Sequence, residues 1–432
     1  MPKERSNPDR AAWSRVQGSS LNALLKALVP HNSFYSQRLQ TAGISSKSTS
    51  LQEFSTRVPF TNKHELFEDQ GAHPPYGTNL TFPLERYTRF HQTSSTAGAP
   101  LRWLDTPESW SGLLDCWDRV YAAAGVGNTD RVFFAFSFGP FLGFWTAYES
   151  ALRRGCLCLP GGGMSSAARL HMLLDHRVTV LCCTPTYALR LAEVAAQEAL
   201  PLNASAVKTL VVAGEPGGSI PATRARIETA WNGAKVVDHH GMTEIGPVSY
   251  GCPVRSDVLH VIESAYFAEV VEPATGRAAN SGETGELVLT TLLRTGSPLL
   301  RYRTGDLVKP AAPGRCACGT WELALEGGIL GRSDDLVLVR GVNVYPSAVE
   351  AIVRSCAEVA EYRVEIGTVR QMAELRMEVE PVPGCPDPQA LARLLEERLR
   401  AAFALRVPVK VVPAGTLPRF EMKARRWVRA AQ

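Results

Sequence analysis

A chain of 432 residues is too long for one ordinary core, so a large domain plus a smaller one, with a cleft between them, is expected. Its hydrophobic fraction of 45% and charged fraction of 20% exclude a disordered chain and allow a sizeable core. A net charge of +4, with Lys and Arg dispersed among the acids, is too mild to call for a nucleic-acid partner.

The first ten residues carry acids and no apolar stretch, unlike a secretory signal or a transit peptide, so a cytoplasmic protein is expected. Next comes a short hydroxyl-rich segment, Thr93-Ser94-Ser95-Thr96-Ala97-Gly98-Ala99-Pro100, whose backbone N–H groups and hydroxyls can wrap a polyphosphate. A solvated loop is the plain alternative. The most apolar run, from Val132 to Trp145, is broken by Gly139 and Pro140 and falls short of the roughly 20 residues that span a bilayer, so no membrane partner is expected. Phe133, Phe134, Phe136, Phe138, Phe141, Phe144 and Trp145 crowd this run as an aromatic-rich helix, most of it core.

From about residue 179 to residue 241, short apolar runs alternate with helical patterns, a βαβαβ rhythm that implies a parallel sheet with ligands at the strand carboxyl ends. The runs are 178–183, 209–213 and 235–237, with helices near 187–198 and 222–231. His239-His240-Gly241-Met242-Thr243-Glu244 follows the last run, read as a central strand, and sets a hydroxyl and a carboxylate at the binding edge. Glu244 can hold Mg²⁺ against phosphate oxygens; a helix N-cap at Thr243 is the alternative.

From about residue 259 to residue 308, strands follow one another without helices, giving a small β subdomain. Within it, Asp306 sits in a turn where its carboxylate can accept both vicinal hydroxyls of a ribose, or simply cap the turn. Gly331-Arg332-Ser333-Asp334-Asp335 lies where the composition shifts; Arg332 can reach a nucleotide there, and the acids can mark a hinge or a charged linker. Beyond it, helices at 347–356 and 388–402 and strands at 362–366, 373–379 and 407–412 form an α+β unit. Lys423 lies in a basic segment that could equally be a solvated tail. The fold class is thus α/β: a large domain, 1–331, with parallel-type sheets and a small β subdomain, plus a small mobile α+β domain, 332–432.

Taken in order and at these intervals, the segments at 93–100, 239–244, 302–307, 331–335 and 417–423 resemble the adenylate-forming superfamily. The resemblance is closer to its phenylacetate–CoA ligase branch, through Thr184-Pro185-Thr186-Tyr187, Gly214-Glu215-Pro216-Gly217, Arg340-Gly341-Val342-Asn343-Val344-Tyr345-Pro346 and Leu417-Pro418-Arg419. It implies ATP-dependent conversion of a carboxylic acid to an acyl-adenylate, then transfer to the thiol of CoA. Nucleotide-binding roles fall on Thr93, Ser94, Ser95, Thr96, Gly98, Gly214, Glu215, Pro216, His239, His240, Gly241, Met242, Thr243, Asp306 and Arg332. Catalytic roles fall on Lys423, Thr243 and Glu244. The resemblance further implies rotation of the C-terminal domain about Asp334, with Asp335 the less favoured hinge, bringing the Gly341 region to a thiol channel. Phe138 and Phe141, with Gly214 and His239, are the expected pocket for an aryl acid.

Ten cysteines are more than a reducing compartment would pair, and Cys156, Cys158, Cys182 and Cys183 lie in apolar runs as small hydrophobes. Cys252, eight positions before His260, and Cys316 with Cys318 supply three thiolates and one imidazole, a set suited to tetrahedral structural Zn²⁺. Members of the branch show similar positions; unliganded thiols with a surface histidine are the alternative.

The sequence departs from the family where the phosphate loop usually ends Gly-Lys-Pro and here reads Gly98-Ala99-Pro100, and where Thr-Thr-Gly is Thr96-Ala97-Gly98. His240 replaces a usual Tyr, which bears on adenine stacking, and Met422 a usual Gly. Other acceptors therefore stay open: a carrier-protein thiol or an amine instead of CoA. A non-catalytic nucleotide-binding regulator is a further alternative, and a homodimer is what the resemblance suggests.

Overall fold

The computed structural model describes residues 9–44, 48–93, 100–340, 342–369, 372–421 and 423–430. Ser94, Ser95, Thr96, Ala97, Gly98, Ala99, Gly341 and Met422 lie outside the described residues.

At the centre is a five-stranded parallel sheet in the order Leu157–Pro160, Arg131–Phe134, Val180–Cys183, Thr209–Val212, Lys235–Asp238. Alternate side chains point to opposite faces, and here both faces are apolar, as a doubly covered parallel sheet requires. Val180 and Cys182 join a core with Trp117, Val120 and Ala147, under the helices Pro107–Ala123 and Leu142–Arg153. Leu181 and Cys183 join another with Leu170, Leu191 and Ile227, under Ser166–Asp175, Pro185–Gln197 and Pro221–Ala230. Thr106, Ser165 and Thr184 cap three of these helices by accepting a backbone N–H three residues on.

Two expectations are corrected. The strand before His239 is not central: Lys235–Asp238 ends the sheet order, and the Ser249–Gly251 strand closes over its free side, with Gly251 so near that a Cβ would fall 3.0 Å from the Asp238 carbonyl. The aromatic run is not one helix: Phe133 and Phe134 end a strand, Phe136, Phe138 and Phe141 lie in the connection, and only Phe144 and Trp145 are helical. Gly139 and Pro140 break the run.

The β-rich part contains a four-stranded antiparallel sheet, Tyr266–Val271, Gly285–Thr291, Tyr302–Val308 and Gly331–Arg332, and a three-stranded one, Ser249–Gly251, Val258–Val261 and Ala324–Glu326. Residues 10–72, for which the sequence suggested no elements, form four helices whose N-caps Asp9, Asn32, Ser50 and Asn62 each accept a backbone N–H. Among the described residues no helix is long and apolar enough to cross a membrane.

The C-terminal part has its own core, with Val349, Val353, Tyr362, Val364, Leu395 and Leu399 between the helices Pro346–Arg354 and Pro388–Phe403 and a mixed sheet. That sheet runs Val409–Val411, Met372–Pro381, Val359–Val369, Trp427–Arg429. The last strand had no signal in the sequence; it pairs in parallel with Val359–Val369 and carries the chain back from Lys423 into the domain.

Candidate active site

The carboxyl ends of the central strands gather several of the expected residues. After Thr209–Val212 the chain turns through Gly214, Glu215 and Pro216, and Gly214 has φ +95°, a left-handed conformation that favours glycine. A Cβ there would lie 3.6 Å from Lys423 Cε and 3.8 Å from Thr184 Cγ2, so the C-terminal lysine is laid directly across this turn. Neighbouring contacts hold it there. Glu215 Oε2 accepts from the Ala424 backbone N–H at 2.8 Å, Ser166 Oγ donates to Glu421 Oε1 at 3.0 Å, and Arg426 Nη1 donates to Thr186 Oγ1 at 3.3 Å.

His239 is buried, packs on Trp117 with ring centroids 4.3 Å apart, and donates from Nδ1 to the Ser249 carbonyl at 2.6 Å. Burial pushes its pKa down to about 4, so it is a neutral ring with a fixed tautomer. His240 reaches the adjoining sheet, its Nε2 lying 2.9 Å from Asp306 Oδ2. Arg332 Nη1 donates to Asp306 Oδ1 at 3.1 Å, while its Nε and Nη2 hold both oxygens of Asp334 at 2.8 and 2.9 Å. Burial would raise the Asp306 carboxyl, but its contacts with His240 and Arg332 outweigh it and hold the group below its ordinary range. Gly305, at φ +77°, leaves room for this: a Cβ would fall 2.9 Å from Arg332 Nη2.

Gly241 and Met242 pair antiparallel with Pro247 and Gly246, a tight hairpin that sets Thr243 and Glu244 at its tip. Glu244 is 6% exposed, and Lys63 Nζ lies 2.9 Å from its Oε1. The backbone of this tip is held from below by Arg294, whose Nη1 donates to the carbonyls of both Thr243 and Glu244 at 2.9 Å. The same guanidinium grips Asp105 through Nε and Nη2 at 2.6 and 2.7 Å, and both side chains are almost wholly buried. Lys63, Asp105 and Arg294 were not found by sequence reasoning. Their partners are remote in the chain, and no local spacing betrays such a pairing.

Thr93 is buried; its hydroxyl accepts from the Leu101 N–H at 3.1 Å, closing the base of the loop. Phe138 packs among Phe134, Phe136, Trp145 and Tyr148, and Phe141 against Phe144. Their described ring contacts stay within this cluster, while His239 faces Trp117.

Cys252, His260, Cys316 and Cys318 converge although the first two lie over fifty residues before the last two in the chain, and their donor atoms all lie within 4.8 Å of one another. Cys252 Sγ and Cys316 Sγ are 3.8 Å apart, too far for a disulfide, and Cys318 Sγ is 3.5 Å from His260 Nε2. His260 is fully buried, not the surface histidine of the alternative reading. Its Nδ1 faces the Glu322 carbonyl at 3.4 Å, leaving Nε2 aimed at the thiols, and the Arg255 N–H points at Cys252 Sγ at 3.3 Å. Four such donors can hold one ion.

Comparison with known proteins defines the class. Residues 107–292 match the AMP-binding enzyme family and residues 341–429 the AMP-binding enzyme C-terminal domain. Phenylacetate-coenzyme A ligase of Thermus thermophilus is 31% identical over 427 residues, covering 94% of each chain. The chain belongs to the adenylate-forming, AMP-binding enzyme family, in its phenylacetate–CoA ligase-like branch. A solved 2-hydroxyisobutyryl-CoA ligase in the postadenylation state, in complex with 2-HIB-AMP, matches with TM-score 0.93 at 29% identity, covering 99% of this chain and 93% of that one. The same ligase in the thioesterification state, with 2-HIB-AMP and CoA, matches with TM-score 0.74 at 30% identity, covering 98% and 91%.

Proposed function

We propose that this chain is an AMP-forming acid–thiol ligase that activates an aryl acid with ATP, releases pyrophosphate and passes the acyl group to CoA. The observation that carries the reading is Lys423 lying across the Gly214 turn at the carboxyl ends of the parallel strands. A substrate carboxylate attacks the α-phosphorus there, pyrophosphate leaves, and the ammonium offsets the charge that develops; such transfers depend on alignment and charge stabilisation. In the second step the CoA thiol attacks the acyl carbonyl and AMP leaves. The better match to the postadenylation arrangement supports assigning the described geometry to the first step.

In this reading Asp306 receives the ribose hydroxyls with Arg332 beside it, Thr243 meets phosphate oxygens, and Asp334 is the hinge. Glu244 is the carboxylate that would hold Mg²⁺, which when bound neutralises phosphate charge. The Cys252, His260, Cys316 and Cys318 group is assigned to structural Zn²⁺. With Zn–S about 2.3 Å and Zn–N about 2.05 Å, a tetrahedral site has an S···S edge of about 3.8 Å and an S···N edge of about 3.6 Å. The observed 3.8 and 3.5 Å agree, and the His260 Nδ1 partner fixes the tautomer that ligation requires. The aryl preference is supported by the aromatic cluster around Phe138 and by the similarity to phenylacetate-coenzyme A ligase.

AMP release measured across a panel of aromatic acids, with and without CoA, tests this. Acid-dependent AMP release with accumulation of an acyl-CoA is expected. Turnover that ignores CoA and yields no thioester would move the acceptor to a carrier-protein thiol or an amine.

A further inference from the structure

Glu215, expected to contact the nucleotide, has both of its carboxylate oxygens in hydrogen bonds within the protein. Oε1 accepts from the Thr186 backbone N–H at 2.8 Å, and Oε2 accepts from the Ala424 backbone N–H at 2.8 Å. Thr186 is the second residue of the Pro185–Gln197 helix, so one oxygen satisfies a donor that the helix leaves unpaired, where the dipole also favours an anion. The other oxygen crosses to the C-terminal part of the chain and takes the amide directly after Lys423.

We propose that Glu215 is a positioning residue: its carboxylate clasps the C-terminal domain in the arrangement that lays Lys423 over the strand ends. This rests on the reading that Lys423 serves adenylation. The other ties lie farther from the lysine or are looser: Arg226 Nη2 donates to the Val359 carbonyl at 2.9 Å, remote in the chain from Lys423. Ser166 holds Glu421 through an exposed side chain, and the Arg426–Thr186 and Arg419–Glu193 contacts are 3.3 Å long. The Glu215 tie is a charge-assisted bond to a backbone atom one residue from the lysine, so it constrains Lys423 with little slack. Of the two Glu215 bonds, rotation of the domain breaks only the one to Ala424. Glu215 stays anchored on Thr186, within its own domain, ready to recapture the amide.

The clasp needs two acceptors, and an amide offers one. Glu215→Gln therefore sets an N–H₂ group against one of the two backbone N–H donors at nearly unchanged shape. In the full-length enzyme, with the aryl acid that the wild type activates best, kcat for acid-dependent ATP–pyrophosphate exchange is expected to fall on the order of 10- to 100-fold. The KM for ATP should stay within about twofold of wild type if Glu215 acts on the lysine and not on the nucleotide. Transfer from the synthetic acyl-adenylate to CoA should be unchanged or faster. Glu215→Asp, too short to span both donors, should behave in the same way and serves if the Gln variant does not fold. Equal loss in both half-reactions, a raised KM for ATP at constant kcat, or wild-type exchange in both variants overturns the clasp. A wild-type enzyme with no acid-dependent exchange would instead overturn the adenylation reading itself.

Discussion

Lys63 Nζ lies 2.9 Å from Glu244 Oε1, joining the first turn of the Lys63–Ala72 helix to the hairpin tip after the central sheet. Glu244 is buried and Lys63 is 45% exposed, so the pair is a half-solvated one worth no more than about 1 kcal/mol. If Glu244 is the Mg²⁺ carboxylate, the lysine and the metal compete for it. Lys63→Ala should then lower the Mg²⁺ concentration for half-maximal adenylation by about two- to fivefold. A Mg²⁺ titration that leaves the midpoint in place would remove Glu244 from the metal's shell.

Arg294 supports that same tip through the Thr243 and Glu244 carbonyls while paired with Asp105 in the core. Arg294→Met leaves a buried carboxylate without its cation, which should cost about 3–5 kcal/mol in denaturant unfolding. Adding Asp105→Leu should restore much of the stability but not the activity, because the two carbonyls still lack their donor. Recovery of both together would make the guanidinium purely structural.

The metal assignment is open to direct analysis. Purified protein should carry about one zinc per chain, and Cys316→Ser with Cys318→Ser should remove it and lower the melting temperature. Stable wild-type protein free of metal would contradict the assignment.

His239 makes a pH prediction whose sign is fixed by burial. Its folded value, about 4, lies below the unfolded value of 6.5, so the unfolded chain holds more protons between them. The contribution is complete above pH 6.5 and is lost as the pH falls toward 4, up to about 3 kcal/mol in all. His239→Asn should lose this slope relative to wild type when stability is measured across that window. Parallel curves would show a ring that titrates normally.

What the sequence revealed follows from range. The runs that became Val180–Cys183 and Thr209–Val212 were legible because a strand covered on both faces is apolar at every position. Asp306 and Arg332 were found as separate motifs, and their pairing in register across a sheet emerged only from the fold. Cys316 and Cys318 advertised themselves by tight spacing. Lys63, Asp105, Arg294 and the double engagement of Glu215 left no such trace, since each depends on contacts between distant segments. The Trp427–Arg429 strand is too short to show a period of two.

The most direct test of the central claim is acid-dependent ATP–pyrophosphate exchange by wild type and Lys423→Ala, paired with thioester formation from the synthetic adenylate. Wild type should perform both reactions. The variant should lose exchange by about 10²- to 10³-fold while still transferring the acyl group to CoA. Nucleotide binding by the wild type without acid-dependent exchange, or full exchange by Lys423→Ala, would contradict it.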